Sequence, residues 1–148
     1  MNPTVELIFT IAGALLVLLT VYGAVKLDRK LFLSGICFFS ILPIIGESMG
    51  YNADKGAVHI MVIFLFVIQA VLALPTNISF TADNVAAGKL TGKIAITLLL
   101  INLAGALFIF CLKAGVPVQF GYYHVVTSLT IIYILIKRMS SGPWVWRK

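Results

Sequence analysis

The feature that most constrains this chain is its first apolar run. Val5 to Val25 is 21 residues long and carries no charge after Glu6. As an α-helix rising about 1.5 Å per residue, it extends roughly 30 Å, the thickness of a bilayer's hydrocarbon core. Backbone polar groups in hydrocarbon must be paired within the segment, so a run of this kind can cross a membrane only as a helix. Glu6 falls in the first turn, where a carboxylate suits the positive end of the helix dipole. No basic region precedes the run and basic residues follow it, so it is expected to stay as a structural helix and not be a removable signal peptide.

The pattern repeats along the chain. Leu31 to Gly50, Ala57 to Leu74, Ile94 to Leu112 and Val116 to Ile136 are further apolar runs separated by polar links, the longest of them Thr76 to Lys93. The expected fold is all-α: one transmembrane domain over residues 1–148, a polytopic bundle of five spans. Four spans is the alternative, since Pro117, Gln119 and Gly121 weaken the start of the last run. Composition agrees: 61% of residues are hydrophobic and 11% charged, too little polar surface for a water-soluble domain. Pro43 is expected to kink the second span. Tyr51 to Gly56 reads as a tight polar turn that makes spans two and three antiparallel neighbours.

Charge sets the orientation. The net charge of +6 is not read as a nucleic-acid footprint, because the basic residues lie in short clusters between apolar runs. With five spans, nine of the eleven basic residues fall on one side: Lys26, Arg29, Lys30, Lys89, Lys93, Lys137, Arg138, Arg147 and Lys148. Lys55 and Lys113 fall on the other. The positive-inside rule then puts the N-terminus outside and the C-terminus in the cytoplasm, with a cell inner or plasma membrane as the expected location. Four spans would put the C-terminal cluster outside. Trp144, Trp146, Arg147 and Lys148 read as an interfacial anchor.

This orientation gathers the ionisable groups. Glu6, Glu47, His59 and His124 all fall in the outer layer, where polar groups near hydrocarbon face a bundle interior, a partner or a water-filled cavity. They form a candidate proton or ion site. His59 and His124 are also candidate ligands of a haem b or contacts of a quinone, with Glu47 behind them. Gln69 and Asn102 read as polar contacts between helices. Cys37 and Cys111 lie inside apolar runs without metal-ligand spacing and read as packing residues; no metal site is expected.

There is no nucleotide-binding loop, no nucleophile paired with a base, and no motif that names a reaction. The leading expectation is a non-catalytic accessory subunit of a larger membrane complex, with the lipid bilayer and other membrane subunits, or copies of itself, as partners. The alternatives are a small oligomeric transporter or ion-conducting protein using Glu47 and His59, and a haem- or quinone-handling redox protein using His59 and His124.

Overall fold

The computed structural model describes residues 3–75, 85–112 and 116–141, and their side chains except at 85–89, 112 and 138–141. The protein is all-helical. Five helices follow one another: α1 (Pro3–Lys26), α2 (Arg29–Asp54), α3 (Ala57–Leu72), α4 (Val85–Leu112) and α5 (Val118–Ser141). Four segments are long and apolar enough to cross a membrane: Pro3–Lys26, Arg29–Asp54, Leu90–Cys111 and Val118–Lys137. α3 is equally apolar but has 16 residues, about 24 Å of helix.

The helices form a closed ring in chain order. Each packs on its neighbours in sequence, and α5 closes the ring against α1; the α3–α4 seam is the weakest. Directions alternate. Ala24 near the end of α1, Phe32 and Ile36 in the first turns of α2, Ala73 after α3, Leu98 in α4, and Ile131 and Ile134 late in α5 share one buried cluster. The start of α1, the end of α2, the start of α3, the end of α4 and the start of α5 meet at the opposite end, around a cavity.

Short connections hold the order. Leu27 adopts a left-handed conformation (φ 56°) that ends α1, and the Asp28 side chain accepts from Leu31 N at 3.1 Å to cap α2. Gly35 lies so close to α1 that a Cβ there would collide with Thr20. On the far side of α1, Gly13 leaves room for the Tyr123 ring, and the Tyr123 hydroxyl donates to Thr10 O at 3.0 Å. α5 thus docks on α1 at Gly13 and Thr10.

Element boundaries differ from the sequence reading in three places. α2 continues through Tyr51, Asn52 and Ala53 to Asp54, so the turn is only Lys55 and Gly56. Polar residues suggest a loop there, but polar side chains do not end a helix, whose backbone bonds are made within it. α4 starts at Val85, nine residues before Ile94, because Ala86 and Ala87 are strong helix formers. α5 runs to Ser141 and begins after Pro117, at Val118. Pro43 sits inside α2 and leaves the Phe39 carbonyl without its helical donor. The anchor residues Trp144, Trp146, Arg147 and Lys148 lie outside the described residues.

Candidate functional site

The end of the bundle opposite the buried cluster is hollow. A cavity of about 1180 Å³ is walled by all five helices. Its volume follows from the residues that face it. α2 contributes Pro43, Gly46, Gly50 and Ala53, and α4 contributes Ala104 and Gly105. Small side chains on two facing helices leave space that the larger residues on α3 and α5 do not fill. The walls are mostly apolar, with Phe39, Phe66, Phe108 and Phe120 as the aromatic surfaces. Glu6, Glu47, His59 and His124, assigned from the sequence to one layer, all line it.

Two of these groups, Glu47 and His59, form a cluster at the rim together with Asp54. His59 lies in the first turn of α3. Its Nδ1 is 2.5 Å from Glu47 Oε2 on α2, and its Nε2 is 3.1 Å from Asp54 Oδ1 and 3.2 Å from Asp54 Oδ2. The turn places these groups. Lys55 takes a left-handed conformation, and Gly56 N donates to Asp54 Oδ1 at 2.7 Å, an Asx turn that swings the carboxylate toward α3. Gly50 makes room for the imidazole: a Cβ there would lie 2.6 Å from His59 Cε1. The Gly46–Gly50 pair therefore serves the cavity and the imidazole, and is not a seam between helix backbones. Both ring nitrogens face carboxylate oxygens, which only accept hydrogen bonds. An imidazolium satisfies both, whereas a neutral ring donates to only one. Glu6 lines the cavity from α1 and, among the described residues, makes no hydrogen bond to this group.

A second polar assembly lies deeper. Ser40, Gln69, Asn102 and His124 come from α2, α3, α4 and α5 and form one chain of hydrogen bonds. Ser40 Oγ donates to Ile36 O at 2.7 Å, and Gln69 Nε2 donates to Ser40 Oγ at 3.0 Å. Asn102 Nδ2 donates to Gln69 Oε1 at 3.0 Å and to Leu98 O at 2.8 Å. His124 Nδ1 meets Asn102 Oδ1 at 3.0 Å. Ser40, Gln69 and Asn102 are fully buried, so each bond also avoids the cost of an unpaired polar group in an apolar interior. The His124 ring is wedged between Phe39 (5.2 Å, edge-on) and Phe66 (5.5 Å, tilted). Its Cε1–Nε2–Cδ2 edge rests against Gly105, where a Cβ would come within 2.9 Å of Nε2.

The two imidazoles sit at different depths. His124 packs on Phe66, which is seven residues, or about 10 Å, along α3 from His59. A metal shared by both would need each nitrogen about 2 Å away. The structure brings His59 to Glu47 and Asp54 and brings His124 to Asn102, but does not bring the histidines together. Among the described residues, no group of three His, Cys, Asp or Glu side chains is arranged to hold a metal.

Asp54 and Ser40 carry parts of this site and were not singled out in the sequence. Asp54 had a local signal: an acidic residue two positions before a glycine that opens an apolar run is a turn-forming pattern. Ser40 had only register. In an antiparallel pair pivoting at Lys55, Ser40 and Gln69 lie at nearly equal distance from the turn. Gly105 had no signal, since the side chain it accommodates, His124, arrives from another helix. Comparison with protein-family models, with curated proteins and with solved structures found no match to this chain.

Proposed function

We propose that this chain is a membrane protein of five crossings that holds a small amphiphilic molecule in the hollow end of its bundle, on the non-cytoplasmic side. The observation that carries this reading is the cavity. It is apolar over most of its wall, with a carboxylate–imidazole–carboxylate cluster at its rim and one buried imidazole edge at its floor. Concave, mainly apolar pockets with a few convergent polar groups are the usual form of small-molecule sites.

The orientation rests on charge. Lys26, Arg29, Lys30, Lys93 and Lys137 belong to the packed end, and Lys55 to the hollow end. At the packed end Lys26 and Lys137 each lie 5.8 Å over a tyrosine ring, Tyr22 and Tyr133. Basic and aromatic residues paired in this way suit a headgroup layer. α3 is short for a crossing, but it occupies the ring between α2 and α4 and would traverse the bilayer beside them.

The other expectations draw less support. Ion conduction needs a route past the packed end, where Phe32, Ile36, Leu98 and Ile131 are buried against one another. Haem ligation by His59 and His124 needs them at one depth. The accessory-subunit reading rests on the apolar outer surface, including Leu15, Leu18, Phe64 and Leu107, and lipid would cover that surface as well as a partner would.

Two measurements test the proposal. Protein purified in mild detergent and extracted with organic solvent should release an amphiphile identifiable by mass spectrometry. Gly46→Phe, which projects into open space with only Phe9 at 4.0 Å from a new Cβ, should abolish its retention while the protein stays folded. Retention unchanged in that variant places the molecule on the outer surface and refutes the cavity. For orientation, an impermeant thiol reagent should label Lys55→Cys from the non-cytoplasmic face and leave Lys30→Cys unlabelled.

A further inference from the structure

We infer that the floor of the cavity is a hydrogen-bond acceptor, so its ligand presents a hydroxyl donor: the site takes a phenol- or hydroquinone-headed amphiphile in preference to a ketone- or quinone-headed one. This rests on the small-molecule reading above and goes beyond it by assigning the polarity of the contact.

The polarity follows from the buried chain, read from its fixed ends. Ile36 O and Leu98 O are backbone carbonyls and can only accept. Ser40 spends its single proton on Ile36 O, so toward Gln69 its oxygen accepts. Gln69 must therefore turn its amide nitrogen to Ser40 and its carbonyl oxygen to Asn102. Asn102 donates both to that oxygen and to Leu98 O, which uses both hydrogens of its amide. Its remaining atom, Oδ1, faces His124 and accepts. Both anchors give the same amide orientations independently, so the assignment does not depend on telling nitrogen from oxygen by position alone. His124 Nδ1 consequently carries the hydrogen.

A neutral imidazole has one N–H and one lone pair. No carboxylate is bonded to His124, and its ring neighbours are Phe39 and Phe66. With the hydrogen held on Nδ1, Nε2 keeps its lone pair. The residue is 4% exposed, and among the described residues Nε2 has no hydrogen-bond partner. Among the described residues the fully buried polar atoms without a partner are Thr127 Oγ1 and Ser128 Oγ; Nε2 is not one of them and keeps access to the cavity that His124 and Gly105 both line. The floor thus offers one acceptor among aromatic walls, which fits a flat ring bearing O–H with its apolar remainder along the cavity wall. A carbonyl at the same place would meet lone pair with lone pair.

Three probes matched in size separate the possibilities: para-hexylphenol, para-hexylanisole and para-hexylacetophenone, titrated calorimetrically into the full-length protein in detergent. The phenol should bind roughly tenfold more tightly than either of the others, the worth of one buried hydrogen bond. His124→Phe keeps an aromatic ring and removes the acceptor, so it should erase that preference while all three still bind. Gly46→Phe should weaken all three together. Equal binding of the three probes to the unaltered protein overturns the acceptor floor and leaves the cavity reading standing. Tighter binding of the acetophenone overturns it too, by showing a donor at the floor. Failure of all three to bind refutes the cavity reading itself. Should His124→Phe not fold, the ranking on the unaltered protein decides alone.

Discussion

The two ends of this bundle are made of the same five helices and differ in what those helices present to one another. At the packed end Phe32, Ile36, Leu98, Ile131 and Ile134 interlock, and Ala24 and Ala73 fit between them. At the hollow end α2 and α4 interpose Pro43, Gly46, Gly50, Ala53, Ala104 and Gly105 among their larger side chains, and a cavity remains between the helices. In lipid, helices gain little from burying apolar surface, because the tails are as apolar as leucine; association depends on close packing and interhelical hydrogen bonds. Under the membrane reading proposed above, the packed end and the Ser40–Gln69–Asn102–His124 chain are what hold the ring together. The hollow end is free of that duty and can be open.

That division can be broken or sharpened by matched substitutions. The largest effect is expected from truncating the core. Ile36→Ala should lower stability by about 3 kcal/mol, through the void it leaves among fully buried neighbours. Leu65→Ala, beside an existing cavity, should cost about 1 kcal/mol or less. Unfolding in a detergent–denaturant titration measures both, and equal losses at the two ends would falsify the division. Next comes one substitution made at each end. Gly35→Ala forces a Cβ into Thr20 and should cost about 2 kcal/mol. Gly46→Ala meets open space and should stabilise α2 by up to about 1 kcal/mol, the helix propensity gained. A melting temperature lowered by Gly46→Ala would mean that the cavity wall is under closer packing than the structure shows.

The smallest effect concerns paired against unpaired polar groups, both buried. Asn102→Leu leaves Gln69 Oε1 and His124 Nδ1 without partners and should cost about 1 to 2 kcal/mol. Thr127 Oγ1 is buried with no partner among the described residues. Thr127→Val should be neutral or slightly stabilising, by under about 1 kcal/mol. The reverse ranking, read from the same titrations, would show that the hydrogen-bonded chain contributes nothing to holding the four helices together.

Much of the fold was legible because long apolar runs leave a chain few options. A run of apolar residues with Glu6 at its edge is a helix, and short links between such runs are hairpins. Boundaries were misjudged where helices continued beyond their apolar runs, at Tyr51–Asp54 and Val85–Lys93, because polar residues there signal water without signalling a loop. The site was legible in part. Alternating helices necessarily return Glu6, Glu47, His59 and His124 to one end, and counting helices is enough to say so. What they touch was not legible. His59 meets Asp54 through the Asx turn, and His124 meets Asn102 through the rotation of two helices about their axes, which no hydropathy pattern records.

The sequence by itself determined the helices, their alternation and the end at which the ionisable groups collect, since these follow from local hydrophobicity and the length of the links. Only the tertiary structure decided that the end is hollow, that His124 packs on Phe66, about 10 Å along α3 from His59, and which nitrogen of His124 holds its hydrogen. Those depend on which small residue faces which large one across the ring, and on a hydrogen-bond order running through four helices far apart in the chain.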